Sequence, residues 1–387
     1  MISVEHEVFF FDGEFLCNLN NVFHKNTIDK SCCKYHFISC EEVKIRVYLF
    51  MSSKVLITGA TGFVGTHLVN ANLAKGNIVR AFVLPNDPAV ENLQNKNVDI
   101  VYGDIRHYED VKKAMKDEID IVFHCAAFVS DWGKREIFEQ VMINGTENVC
   151  RAASEAQVKR LVKISTNDVF GLREDKVMDE TFPLTPWNEP YPDTKLAAEE
   201  IAWKYYKERG LPVTMVYPCW IFGPGDKTFV PHLADAVLKG EMVFMRQNAI
   251  VWPTYIENLI DLLMLIAIDE RAVGNGYLVH DGESTTLEEF TNGLAKSIGA
   301  KEVKMHIPYW LAYVAAMLME FFGKLLKQKD RPLLTTYTVK NLGSRLRFSI
   351  DKAKRELNWT PKISYKEGFA KTMVWLKTLD VSTLKQK

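Results

Sequence analysis

One stretch constrains the chain more than any other: residues 54–65, KVLITGATGFVG. A short apolar run, Val55, Leu56 and Ile57, meets three glycines, Gly59, Gly62 and Gly65. A helical pattern of Phe63, Val64, Leu68, Val69 and Leu73 opens at once. Strand, glycine turn and helix in that order hold the diphosphate of a dinucleotide. Gly59 permits the tight turn, Gly62 lets the backbone approach the phosphates, and Gly65 lets the helix pack close to the strand. The helix N-terminus adds free N–H groups and a positive dipole end. The spacing is Gly-x-x-Gly-x-x-Gly, not Gly-x-Gly-x-x-Gly.

Beyond this stretch the pattern alternates. Strands predicted at 55–57, 78–84, 98–102, 119–124, 161–165 and 213–217 are separated by helices at 64–74, 109–115, 135–156 and 192–208. The rhythm predicts an α/β fold, a Rossmann doubly wound parallel sheet, and its short apolar strands suit burial on both faces. After Tyr217 the rhythm breaks at CWIFGPGD. Helices near 229–239, 258–268 and 287–298 and a strand at 277–279 predict a smaller C-terminal substrate-binding cap whose strand returns to the sheet. The expected organisation is an N-terminal extension over 1–50 and a dinucleotide-binding domain over 51–217. A region that is mainly cap then covers 218–381, with a tail over 382–387. Residues 1–50 show no sustained helical or alternating period and no secretory or transit signature. They read as a poorly structured appendage, with Met51 of MSSKVLITGATG as the working start.

Charge excludes several partners. With a net charge of −1 and interspersed signs, the chain has no electrostatic footprint for nucleic acid or an acidic membrane surface. Cys125, Cys150 and Cys219 are apolar-flanked and widely spaced, as buried free thiols of a reducing, cytoplasmic setting would be. Cys17, Cys32, Cys33 and Cys40 crowd the first fifty residues; an adjacent Cys-Cys pair without C-x-x-C is poor ligand geometry, so no metal site is expected. Residues 309–322, YWLAYVAAMLMEFF, are the most apolar stretch, too short to span a bilayer and interrupted by Glu320. They read as a buried or interface helix, with peripheral membrane contact as the alternative.

Two segments carry chemistry. In Tyr191-Pro192-Asp193-Thr194-Lys195, tyrosine and lysine at i and i+4 share one helix face, and Pro192 suits the first turn. An ammonium beside the phenol is expected to lower the Tyr191 pKa toward the working range of a general acid/base. An isolated Tyr-x-x-x-Lys is commonplace; here it follows a glycine fingerprint and opens the helix after the fifth strand. The second segment, Ser165-Thr166-Asn167-Asp168, ends a parallel strand, where ligands of open α/β sheets bind. A hydroxyl there would meet the substrate oxygen, unless the cluster caps a turn, as Ser165 would.

With these residues in view, the sequence from Ser53 to about Leu376 resembles the extended short-chain dehydrogenase/reductase family. The resemblance rests on TGATGFVG at 58–65, GDI at 103–105, HCAA at 124–127, INGTENV at 143–149, STNDVFG at 165–171, YPDTK at 191–195 and FGPGD at 222–226. It implies a catalytic triad of Thr166, Tyr191 and Lys195. Cofactor contacts are implied at Gly59, Thr61, Gly62, Phe63, Val64, Gly65, Asp104, Ile105, Ala126, Ala127, Tyr191, Lys195 and Pro218. In the implied mechanism, Lys195 binds the nicotinamide ribose, Thr166 orients the substrate oxygen, and Tyr191 moves the proton as hydride passes at nicotinamide C4. The segment around Trp132-Gly133 and the tail around RPLLT look like the 3β-hydroxysteroid dehydrogenase and dihydroflavonol-reductase-like branch. Tyr217 departs from it, standing where arginine is usual.

The implied function is an NAD(P)-dependent oxidoreductase acting on an apolar, steroid- or flavonoid-like secondary alcohol or ketone. A nucleotide-sugar epimerase/dehydratase and a non-catalytic NAD(P)-binding sensor or scaffold are the alternatives. For the cofactor, Asp87 lies far along for the ribose of NAD, and Arg80 would reach the 2′-phosphate of NADP only if turned inward. Leu84 stands where NADP-using relatives have arginine, so NAD is slightly favoured. The resemblance also implies a homodimer paired through the helices flanking the triad. In the cap, His232, Tyr255, Glu257 and Asn258 are the polar candidates for the pocket wall, Tyr255 foremost.

Overall fold

The parallel sheet predicted from the strand–helix rhythm is present. In the computed structural model, residues 52–328 and 330–379 are described throughout, together with the backbone of four short strands before them. Phe9–Phe11 pairs antiparallel with Glu14–Leu16, and His36–Cys40 with Val43–Val47. Met1–Met51 and Ser52–Lys387 are separate units. Apart from those strands, the expectations for residues 1–50, with their four cysteines, and for 382–387 fall outside the described residues.

The sheet contains β1 (Lys54–Thr58), β2 (Ile78–Val83), β3 (Val98–Tyr102), β4 (Ile121–His124), β5 (Arg160–Ile164), β6 (Val213–Pro218) and β7 (Gly276–Val279). Their order is β3-β2-β1-β4-β5-β6-β7, and every pairing is parallel. The strand foreseen at 277–279 does return, pairing Tyr217 with Leu278. The strand order reverses between β1 and β4, which opens a crevice at their carboxyl ends.

Five helices position the site: α1 (Phe63–Ala74), α2 (Tyr108–Ala114), α3 (Gly145–Glu155), α4 (Pro190–Arg209) and α5 (Ile256–Ile266). α2, α3 and α4 pack in succession, and α1 packs on α5. The helix foreseen at 135–156 is one run, in which a π-helical stretch, Glu139–Asn144, joins Arg135–Phe138 to α3. α4 starts on prolines, where no N–H is needed, and stops at Gly210, whose φ of +67° only glycine adopts without strain.

Short strand pairs follow the main sheet. Val177–Met178, before α4, pairs with Arg347–Phe348 near the C-terminus. Two more helices matter, α6 (Tyr309–Leu325) and α7 (Thr336–Leu342). In α6 only Ala312, Ala316 and Gly323 are buried, while Trp310, Phe321 and Leu325 are 66%, 60% and 65% exposed. The buried-helix reading of residues 309–322 is thus overturned. Small side chains face the protein, where Trp132 packs on Gly323, and the large ones face out. Apolar content alone does not carry that direction. Among the described residues, no helix is long and apolar enough to cross a membrane.

Candidate active site

The crevice begins with glycines that nothing larger can replace. At Gly59, φ is +67° and an added Cβ would lie 2.9 Å from the Ala126 nitrogen; at Gly65 it would lie 2.1 Å from the Gly59 carbonyl oxygen. Gly62 caps α1 with extended backbone, so the Phe63 and Val64 N–H groups have no intrahelical acceptor. A tight loop with free N–H groups at a helix start fits a dinucleotide diphosphate. Beside it, the Thr58 hydroxyl accepts from Ala126 N–H (3.2 Å) and meets His124 Nδ1 (2.9 Å); His124 Nε2 meets the Thr146 hydroxyl (3.1 Å). Burial, with Lys163 and Lys195 nearby, holds the His124 pKa well below its ordinary value. A neutral imidazole thus joins β1, β4 and α3, and the HCAA and INGTENV signatures act as scaffolding for the half-buried Ala126 and Ala127.

The adenosine end is built from β2 and β3. Thr61 Oγ1 donates to Asp87 (2.6 Å), which places a carboxylate against the glycine loop. Arg80 does not turn inward. Its guanidinium is buried and engaged by Asp99 (2.6 Å), the Lys116 carbonyl (2.7 Å) and Asp117 (2.9 Å), so it is not available to a 2′-phosphate. Burial alone would raise the Asp104 pKa, but Arg106 hydrogen bonds hold the carboxyl below its usual value. Ile105 is buried against Gly145, where a Cβ would lie 2.6 Å from Ile105 Cδ1. Pro218 closes β6.

At the crevice's other end, α4 brings Tyr191 and Lys195 to the carboxyl end of β5. Lys195 Nζ donates to the Ile164 carbonyl (3.0 Å), and burial, then Lys163, push its pKa down to about 7. Tyr191 is half-buried; burial and the Asp168 charge push its pKa up. The expectation that Lys195 would lower it does not hold for the chain alone: desolvation of the phenolate and the Asp168 charge both raise it. The two adjacent hydroxyls divide. Ser165 Oγ donates to buried Glu199 (2.9 Å), whereas Thr166 Oγ1 accepts the Asp168 N–H (3.3 Å) and caps the 3-10 turn Asn167–Phe170. The capping residue is therefore Thr166, not Ser165. The Tyr217 hydroxyl also donates to Glu199, so the departure from arginine completes a buried network.

Sequence reasoning missed residues from the C-terminal segment. Tyr337, on α7, donates to Asp168 Oδ2 (2.8 Å), and its ring lies edge-on to Tyr191 at 6.0 Å. Burial raises the Asp168 pKa to about 6, against the opposing pull of Tyr337, Lys195 and Thr166. Asp131 gathers Arg331 Nε (2.6 Å), the Thr335 hydroxyl (2.9 Å) and the Thr338 hydroxyl (2.6 Å), and Lys340 pairs with Glu189 (2.6 Å). α7 is thus tied to the loop after Ala127 and to the start of α4. Asp168 stood in plain view within STNDVFG; Tyr337 had no local signal. The cap candidates do not form a wall: Tyr255 and Asn258 are buried and hydrogen-bonded within the core, while His232 and Glu257 are exposed. Cys150 and Cys219 are buried and Cys125 is half-buried; all three are free, and burial pushes Cys125 and Cys150 up to about 12.

The family model described as "NAD dependent epimerase/dehydratase family" matches residues 55–276, more than half of the chain. The chain belongs to that family. It is an extended short-chain dehydrogenase/reductase, an NAD(P)-dependent enzyme, as its motifs imply. The 3 beta-hydroxysteroid dehydrogenase/Delta 5-->4-isomerase of Mycobacterium tuberculosis is 31% identical over 84% of this chain and 91% of that protein. The 2-alkyl-3-oxoalkanoate reductase of Stenotrophomonas maltophilia is 30% identical over 81% and 97%. The crystal structure of gox2253 superposes with a TM-score of 0.71 at 25% identity, covering 84% of this chain and 98% of that one.

Proposed function

We propose that this family member moves hydride between NAD and a secondary alcohol or ketone of an apolar, 3β-hydroxysteroid-like substrate, with Thr166, Tyr191 and Lys195 as its catalytic residues. The observation that carries the reading is the meeting of Tyr191, Lys195 and the Thr166 turn at the carboxyl end of β5, with the glycine cradle at β1. When bound, the nicotinamide supplies the hydride acceptor or donor. Thr166 orients the substrate oxygen, and Tyr191 takes or gives its proton. Lys195 uses one donor on Ile164 and keeps two for the ribose. Asp87 on the glycine loop and the engagement of Arg80 support NAD over NADP.

The relatives' names support an alcohol or ketone substrate of low polarity. A panel of a 3β-hydroxysteroid, its 3-ketone, a 2-alkyl-3-oxoalkanoate and UDP-glucose, each with NAD(H) and NADP(H), tests the reading at 340 nm. Oxidation of the steroid with NAD is expected; turnover confined to the nucleotide sugar would overturn it. The cytoplasmic, peripheral placement and the homodimer are parts of the same reading. Exposed Trp310, Phe321 and Leu325 on α6, beside Lys324 and Lys327, suit a bilayer surface, and the packed pair α3 and α4 suits a twofold partner. Sedimentation with and without phosphatidylcholine/phosphatidylglycerol vesicles reads both. The expected result is a dimer that pellets with vesicles, less so for Trp310→Ser with Phe321→Ser; a monomer left in the supernatant removes both parts.

A further inference from the structure

The FGPGD signature has no role in the triad or the sheet, yet the structure lays it over the cofactor cradle. Gly223 and Gly225 have φ of +151° and +90°, and a Cβ at Gly223 would strike Ile256 at 2.4 Å. The turn is pinned at two points. Within it, the Pro224 carbonyl meets His67 Nε2 on α1 (2.9 Å). After it, buried Asp226 accepts the N–H groups of Thr228 (2.8 Å), Phe229 (3.2 Å) and Val230 (2.8 Å), locking the start of the helix Phe229–Leu238. Lys227 directly follows Asp226. Its Nζ donates to the Thr61 carbonyl (3.1 Å), one peptide before the loop's N–H groups, while the side chain stays exposed. Among the described residues it is the one side-chain ammonium hydrogen-bonded to the glycine loop.

We propose that Lys227 is a ligand of the cofactor diphosphate: its ammonium exchanges the Thr61 carbonyl for a phosphate oxygen when the dinucleotide binds. A helix end supplies only about half a positive charge, and a diphosphate carries two negative ones. A neutral carbonyl is the weaker acceptor for an ammonium, since a phosphate oxygen adds the attraction of a full opposite charge to the hydrogen bond. The pinned turn holds the lysine's backbone in place before the ligand arrives, so little ordering remains to be done on binding. Thr61 donates its hydroxyl to Asp87 while its carbonyl accepts from Lys227, so the ammonium is held on the backbone of the glycine loop, beside the N–H groups that suit a diphosphate.

The proposal rests on NAD(P) binding, not on the substrate, and its test needs no turnover. NADH binding is followed by fluorescence, and ADP-ribose and adenosine binding by calorimetry, at low and high salt. Lys227→Met is expected to weaken NADH and ADP-ribose about tenfold at low salt and to flatten their salt dependence, with adenosine unchanged. Lys227→Arg recovers most of the loss. Unchanged melting temperature is expected, since the side chain is exposed. Lys227→Met that binds NADH and ADP-ribose like the wild type, or that loses NADPH alone, overturns the assignment. A wild-type chain that binds neither NADH nor NADPH would instead overturn the cofactor reading itself.

Discussion

Tyr191→Phe is expected to bind NADH like the wild type and to lose about three orders of magnitude in turnover, the scale of positioned acid/base catalysis. The substitution removes one oxygen and leaves the ring against Tyr337. Neither the glycine cradle nor the Lys195–Ile164 hydrogen bond depends on that oxygen. Stopped-flow measurement of hydride transfer, beside fluorescence titration of NADH, separates the two effects. A Phe variant that turns over at the wild-type rate would remove Tyr191 from the mechanism, and one that binds no NADH would show a folding defect instead.

Asp168→Asn is expected to move the pH dependence of alcohol oxidation, and the sign follows from the charges. Oxidation needs a base, so it rises with pH as Tyr191 ionises. Burial raises the Tyr191 pKa, and the Asp168 carboxylate raises it further. Asp168 itself, with a pKa near 6, is charged through the neutral range. Asparagine keeps an oxygen for the Tyr337 hydroxyl but removes the charge, so the phenolate forms more readily. The rising limb moves to lower pH, and the rate at pH 7 relative to the variant's own alkaline plateau increases about tenfold. Reduction, which needs the protonated phenol, loses rate at high pH by the same cause. A limb that stays in place would mean that Asp168 acts on Tyr191 only through packing. The groups facing Asp168 that such a profile must be read against are Tyr337, Lys195, Thr166 and Tyr191.

Several features that looked chemical in the sequence are mechanical in the structure, and the reverse. HCAA carried the implied cofactor contacts Ala126 and Ala127, and INGTENV was a family signature without a stated task; His124 between Thr58 and Thr146 makes both braces of the glycine loop. Tyr255, the foremost pocket candidate, is fully buried and packs against Gly368. FGPGD, read as a break in the rhythm and a family signature, places Lys227 on the glycine loop. The apolar run at 309–322 was readable as a helix, but not which side of it faces solvent, because nearly all its residues are apolar and no amphipathic period shows.

The sequence by itself determined the parallel sheet, the glycine cradle and the Tyr191–Lys195 pair. Each is a local matter: a strand, a turn or one helical face, set by residues a few positions apart. Only the tertiary structure decided what surrounds them. Asp168 meets Tyr337 across 169 positions, Asp131 meets Arg331 across 200, and Lys227 meets Thr61 across 166. No spacing rule reaches that far, because such contacts depend on the path of the whole chain. The direction of the Tyr191 shift belongs with them. Helical spacing puts Lys195 one turn from Tyr191, but the water withdrawn from the phenol and the Asp168 charge beside it are properties of the assembled fold, and both raise the pKa.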